Sequence, residues 1–436
     1  MRGEDGTSRR GFLKATGLGL SALALQLQAA RRTFAEELEG AGPVVTASED
    51  PPVFSELAKH YSLGDGVVYV NHASIGTVPK AVQASHRRYL ELCESNPWLH
   101  MWGEAWKGPL ESVRAQAAAS LGCGADEISF SHNTTEVFNL LAQGLPLAEG
   151  DEVLFSSLNH SGASVCWDHA GGRRGYTVRR FDFPVRDAAS MTEDDVVACH
   201  LDAIRPETRV LALPHIDNIL GLRHPLRRLA DGARARGVEF VVVDAAQSVG
   251  MLPLDLPALG VDAYATSAHK WIQGPKGLGV AYLRADLQER LRPRWVTWGQ
   301  RLWSDSVRRF EDYGTRNLAE VLTLGDALTF QDRLGADRVG AHHRRLRAAA
   351  RARVDAEPLL TWHSPESWEL GSAIYSIGVR GRPSSELFQE LFGAHGLVFR
   401  PFEVQGLNAV RLSPNTLNSE VELAFVFDRL VEALGA

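Results

Sequence analysis

Phe240-Val241-Val242-Val243-Asp244-Ala245-Ala246-Gln247 decides the fold. Its first four residues are apolar without a break, so neither face of a strand built from them is left for water. Strands of that kind lie in parallel sheets covered by helices on both sides. Working outward, residues 127–131, 152–156, 210–215, 238–244, 263–267 and 278–283 read as strands, with helical stretches between them. The stretch 225–236 has proline at its start and Gly237 just past its end, the asymmetry expected of a helix. This alternation predicts an α/β fold in which ligands collect at the carboxyl ends of the strands.

After about residue 320 the pattern changes. Helical segments over 318–334 and 336–356 lead to a short α+β region, and its last helix follows Asn418, where Ser419 and Glu422 have capping-box spacing. The expected organisation is a large domain over 53–330, its first residues contributing to the other unit, and a small domain over 331–436. With 436 residues, 44% of them apolar, the chain is long enough for two cores. A net charge of −7 argues against nucleic acid as the main partner.

Cys93, Cys123, Cys166 and Cys199 are scattered without metal-ligand spacing, so no disulfide framework and no metal site is expected. His342 and His343, in an arginine-rich helical stretch, read as part of a solvated face. Trp98, Trp102 and Trp106, at i, i+4 and i+8, read as core or interface.

The amino terminus carries Ser8-Arg9-Arg10-Gly11-Phe12-Leu13-Lys14 ahead of an apolar run to Leu27, too short to span a bilayer comfortably. This reads as a twin-arginine signal peptide over residues 1–30, with cleavage near Ala30 or Ala35, followed by a linker over 31–52. It makes the twin-arginine translocase an expected partner and predicts export from the cytoplasm.

Four features fall at strand ends. Asp244 closes an apolar strand, where a carboxylate is costly unless a positive charge answers it. Ser267-Ala268-His269-Lys270 follows a second strand, and Gly274-Pro275-Lys276-Gly277-Leu278-Gly279 turns into a third. Ser131-His132-Asn133-Thr134-Thr135 joins a strand to a helix, offering hydroxyls and free N–H groups to an anion. An acid and a desolvated lysine beside a phosphate cradle are what pyridoxal phosphate (PLP) chemistry requires. The lysine forms an imine with the aldehyde, and the carboxylate keeps the pyridine nitrogen protonated.

Two other chemistries are weighed. An exported serine hydrolase using Ser267 and Lys270 needs S-D-N and K-T-G elements, and neither occurs. A nucleophile elbow at Ser248 must run straight into a helix, but Pro253 and Pro257 follow.

The strings YVNHASIGTVP (69–79), VDAAQSVG (243–250), SAHKWIQGPKGLG (267–279), YGTRN (313–317) and RLSPNTLN (411–418) together resemble the class V aminotransferases, a PLP family that includes cysteine desulfurases and isopenicillin N epimerase. The resemblance implies the aspartate-aminotransferase-like type I fold, a mostly parallel sheet between helices plus a smaller α+β domain. It implies that Lys270 is the Schiff-base lysine and, once the substrate's external aldimine has formed, the base at Cα. Asp244 would pair with the pyridinium nitrogen and Gln247 with the ring O3′. Thr134 or Thr135, Ser267 and His269 would bind phosphate. His160 would stack on the ring, and Asn218 would sit near O3′ and the substrate carboxylate, which Arg411 would clamp. Asn71, His72 and Arg316 are further candidates for the pocket lining. Thr315 would reach the phosphate of a neighbouring subunit, implying a homodimer. The implied reaction is transamination or epimerisation of an amino acid or amine, with β-elimination (C–S lyase chemistry) as the alternative. A persulfide mechanism is disfavoured, because cysteine desulfurases carry their catalytic cysteine beyond the lysine and all four cysteines here precede it.

Overall fold

The computed structural model describes residues 54–102 and 104–435, so the expected signal peptide and linker lie outside the described residues. In chain order the strands are β1 (Val68–Tyr69), β2 (Ile128–Ser131), β3 (Glu152–Ser156), β4 (Thr177–Phe181), β5 (Thr208–Pro214), β6 (Phe240–Asp244), β7 (Ala263–Ser267), β8 (Gly279–Leu283), β9 (Leu360–Trp362), β10 (Tyr375–Val379), β11 (Leu397–Val398), β12 (Arg400–Val404) and β13 (Leu407–Leu412). One sheet has seven strands in the order β2-β8-β7-β6-β5-β3-β4. The run β4, β3, β5, β6, β7 is parallel, while β8 is antiparallel to both of its neighbours. Strand β8 therefore runs against the other six, and the carboxyl ends of β2, β3, β5, β6 and β7 share one edge of the sheet.

β6 bears out the reading of its apolar run. Val241 and Val243 pack into a core cluster on one face, Phe240 and Val242 into a cluster on the other, and all are buried. Each such side chain contributes about 1.5–3 kcal/mol by leaving water. Strand β4 was not foreseen, because it carries Arg179 and Arg180 rather than an apolar run. It is the sheet edge, where charge discourages pairing with other chains, and Arg179 Nε is 2.7 Å from Glu152 Oε2 on the adjoining strand.

The remaining strands form an antiparallel sheet in the order β12-β13-β10-β9 and a parallel pair, β1 with β11. The segment after β1 continues this pairing: Val70 N donates to Val398 O at 3.0 Å and Ser413 N to Val70 O at 2.8 Å. The chain around Asn71 is thereby tied to the end of β13. At the last helix, Glu420–Gly435, Ser419 N donates to Glu422 Oε2 and Glu422 N to Ser419 Oγ, at 2.8 and 3.1 Å, forming the anticipated box.

Two surface expectations are corrected. His342 and His343 are buried, not solvated, since Asn418 O and Asn415 Oδ1 lie 3.0 and 3.2 Å from their Nε2 atoms. Helical periodicity could not register partners more than seventy residues away. The three tryptophans do not share one α-helix: Trp98–Trp102 is a π-helical turn and Glu104–Trp106 a 3₁₀ turn. Trp98 and Trp102 stack on each other while remaining 71% and 69% exposed, so neither belongs to the core. No helix among the described residues is long and apolar enough to cross a membrane.

Candidate active site

The shared edge of strand ends creates a cavity of about 390 Å³. Its walls include Thr134 after β2, His160 after β3, Asn218 after β5, Asp244 and Gln247 at the end of β6 and just beyond it, Ser267 at the end of β7, and His269 and Lys270 after it. The second sheet adds Arg411 from β13 and Arg400 from β12. Asp244 and Lys270, 26 residues apart in sequence, thus face one space. A cleft of about 560 Å³ lies elsewhere, lined by Tyr69, Gly76, His86 and Lys276 among others, but it pairs no lysine with a carboxylate.

Lys270 is seated by close backbone packing. Gly76 N donates to His269 O at 2.7 Å, and a Cβ on Gly76 would collide with the carbonyls of His269 and Lys270. Gly250, at φ +89°, lies against the Trp271 backbone in the same way. Burial drives the Lys270 amine down from 10.5 to about 8, against the opposing pull of the Asp244 carboxylate, and Arg411 lowers it further. At neutral pH an appreciable fraction of this amine is therefore unprotonated.

The phosphate cradle is built at the helix Thr134–Gly144. Asn133 caps it through Glu136 N, and Ser267 Oγ lies 3.0 Å from Thr134 N and 2.9 Å from Thr134 Oγ1. Thr135 lines the cavity beside it. His269 Nδ1 is buried with no hydrogen-bond partner, and burial, then Lys270 and Lys276, lowers the imidazole to about 4. A neutral ring with an unanswered nitrogen beside two hydroxyls and a helix N-terminus suits a phosphate.

Gln247 is positioned at both ends of its amide, donating to Ala73 O at 2.9 Å and accepting from Trp271 Nε1 at 2.7 Å. One amide hydrogen is left for a ligand. His160 caps the helix Ser161–Arg174, its Nδ1 accepting from Gly162 N at 3.1 Å, so the ring is anchored at the cavity wall. Burial lowers its pKa; Asp244 opposes this, and Lys270, Arg411 and Arg400 add to the lowering.

Arg411 is 3% exposed, yet it donates to no carboxylate. Its partners are Asn218 O, Asn71 Oδ1 and Ser74 Oγ, at 2.6, 2.9 and 2.6 Å. Burial, then Arg400, lowers it from 12.5 to about 10. Its seat is prepared by Asp217, whose carboxylate accepts from the N–H groups of Ile219, Leu220 and Leu222, each at 2.7 Å, folding the loop that offers Asn218 O.

Several sequence candidates sit elsewhere. Asn71 is not in the cavity wall; its amide oxygen is occupied by Arg411 and by Ser74 Oγ, which makes it a support for the guanidinium. His72 is fully buried, with Thr77 Oγ1 3.0 Å from its Nε2, and is corrected from pocket lining to core. Arg316 does not line this cavity; half-buried, it donates to Glu311, a buried carboxylate also paired with Arg114, and it borders the separate groove that holds Thr315. Thr315 lies with Trp102, Trp106, Trp298 and Leu302 in a separate groove of about 470 Å³. Ser248 is buried, with Ala245 O and Tyr264 OH at 3.1 and 2.6 Å from Oγ, and is no exposed nucleophile. No group of three or more His, Cys, Asp or Glu among the described residues is arranged to hold a metal ion. Sequence reading missed Asp217, Ser74 and Arg400. Nothing in their local pattern marks them, since each enters through loop folding or strand register.

Residues 68–400 match the model of the class V aminotransferase family. The chain belongs to that family. Over 341 residues it is 33% identical to the isopenicillin N epimerase of Amycolatopsis lactamdurans, covering 74% of this chain and 84% of the relative. It is 32% identical over 318 residues to a cysteine desulfurase of Klebsiella pneumoniae, covering 69% and 76%. The cysteine desulfurase structure from Thermococcus onnurineus superposes with a TM-score of 0.77 at 22% identity, over 89% of this chain and all of that one, and has the same fold. This class V protein is a PLP-dependent enzyme of fold type I, and its cavity fits the cofactor: a low-pKa lysine, a carboxylate in the same space and an anion cradle.

The lysine gives a pH test. The neutral amine attacks the aldehyde, so cofactor uptake by the apoenzyme should rise with pH through an inflection near 8 and level off above it. Asp244 favours the ammonium form, so Asp244→Asn should move the inflection lower. Uptake followed by stopped-flow absorbance checks both; an inflection near 10 in the wild type would overturn the desolvated lysine.

Proposed function

We propose that this PLP enzyme acts on an α-amino acid by moving the proton at Cα, as an epimerase or transaminase. The reading is carried by one observation: the Lys270 amine shares a cavity with Asp244 and with a buried arginine that has no carboxylate partner, while none of the four cysteines lines that space. Arg411 offers its guanidinium to the α-carboxylate, held in place by Asn218, Asn71 and Ser74. Lys270 would hold the cofactor through its amine and is the group placed to take the Cα proton and to return one. When bound, the cofactor supplies a ring that accepts the electrons left at Cα. Asp244 would hold a proton on the ring nitrogen, Gln247 would donate to the ring oxygen, and His160 would pack on the ring. Thr134, Thr135, Ser267 and His269 would bind the phosphate.

The desulfurase relatives support a second reading, β-elimination without a persulfide, which begins with the same proton transfer. Incubating the holoenzyme with L- and D-amino acids in deuterated water separates the outcomes. Deuterium entry with inversion at Cα identifies an epimerase, amine retention on the cofactor a transaminase, and pyruvate release a lyase. Lys270→Ala should lose both the visible absorbance of the lysine-bound cofactor and all exchange. Survival of that absorbance in the mutant would remove Lys270 from this role.

A homodimer is part of the proposal. Trp102 and Trp298 are 69% and 73% exposed beside Thr315, an apolar groove of the kind that marks an interface. A second copy covering it would carry Thr315 towards the partner's phosphate site. Trp298→Glu should yield monomers by analytical ultracentrifugation and weaken cofactor retention; an unchanged dimer would reject this surface.

Export by the twin-arginine route is proposed from Arg9-Arg10 and the apolar run behind them. Replacing both arginines by lysine should leave the precursor in the cytoplasm. Unimpaired secretion of that variant would end the proposal.

A further inference from the structure

The cavity contains one guanidinium more than the reading above employs. Arg400 on β12 stands directly opposite Arg411 on β13 in the antiparallel register, so both side chains leave the same face of the sheet. Both line the cavity. Like charges in that relation are destabilising, and Arg400 is among the charges that hold Arg411 below its ordinary range. No carboxylate bonds to either arginine: Asp217 acts on Arg411 only through space, Arg411 donates only to neutral groups, and the Arg400 side chain makes no hydrogen bond or ion pair among the described residues.

Arg400 does not ride on a free flap. At the turn of its hairpin Gln405, at φ +50°, donates to Ser157 Oγ at 2.8 Å, and Arg186 donates to Gly406 O at 2.8 Å. The hairpin is thus fastened to segments that follow β3 and β4. The cofactor phosphate is already served by Thr134, Ser267 and His269, and the α-carboxylate by Arg411. Arg400, exposed at this wall and without an ion pair among the described residues, is available to a further anion.

We infer that Arg400 is a specificity residue binding a second acidic group on the substrate's side chain, so that the preferred substrates are amino acids with an anionic side chain. The inference rests on the amino-acid reading of the site. Both arginines line one cavity from neighbouring strands, so a substrate whose α-carboxylate meets Arg411 can present a side-chain carboxylate to Arg400. The exposed position of Arg400 leaves room for a longer chain.

Two measurements test it. In calorimetry with the holoenzyme, glutarate should bind about tenfold or more tightly than butyrate, the range of one charge-assisted carboxylate contact. In Cα exchange, kcat/KM for L-glutamate should exceed that for L-glutamine by a similar factor, through KM. Both ratios should fall towards one in Arg400→Ala and in Arg400→Gln, which keeps the bulk of the stem. Arg400→Glu should favour L-lysine over L-glutamate. Exchange with neutral amino acids but no diacid preference, or a preference unaltered in both neutral variants, overturns this inference and leaves the function standing. Absence of exchange with every amino acid sinks the reading beneath it.

Discussion

The site depends on holding a lysine amine out of water beside a carboxylate. Desolvation alone disfavours the ammonium ion, and the carboxylate alone favours it. Their balance leaves the Lys270 amine near 8, charged or neutral at small cost. A surface lysine stays protonated at neutral pH and is a poor nucleophile. A buried lysine without an opposing charge loses its proton outright. The arrangement has to sit between these limits, and it does so through packing. The loop that carries Lys270 lies against Gly76 and Gly250 at distances that leave no room for a Cβ, which holds the backbone on either side of the lysine in place.

Two sheets meet at this lysine, with different tasks. The seven-stranded sheet gathers polar residues at its strand ends, because six of its strands point the same way and their following loops emerge together. That sheet brings the acid, the amine and the anion cradle. The antiparallel sheet brings the arginines, and segment 68–74 joins the two. Val70 pairs with the strand pair beside β13, and Asn71 and Ser74 support Arg411. The groups that grip the cofactor and those proposed to grip the substrate therefore share a backbone connection within a few residues. A shift of that segment moves the guanidinium relative to the amine.

Buried charge elsewhere follows the same rule. Glu311 is fully enclosed but holds Arg114 on both oxygens and accepts from Phe130 N, which keeps its pKa low despite burial. It anchors the start of the YGTRN segment to β2. His342 and His343 stay neutral in the interior, where asparagines of the RLSPNTLN string answer one nitrogen of each. Motif residues that resembled site residues thus divide into those that face the cavity and those that hold its walls.

What the sequence determined by itself is local. Continuous apolar runs specify doubly covered strands, as β6 illustrates, and the Ser419–Glu422 spacing specifies a cap, because the relevant partners lie within a few residues. Asp244, Lys270 and the Thr134 loop were legible for the same reason, each following a recognisable strand. The direction of β8, the edge strand β4, the burial of His342 and His343, the support given by Asp217 and Asn71, and the pairing of Arg400 with Arg411 were decided only by tertiary structure. Each depends on a partner far away in the chain, and strand register carries no signature in either strand alone. The chemistry was written at strand ends; which arginines share the cavity was set by which strands lie side by side.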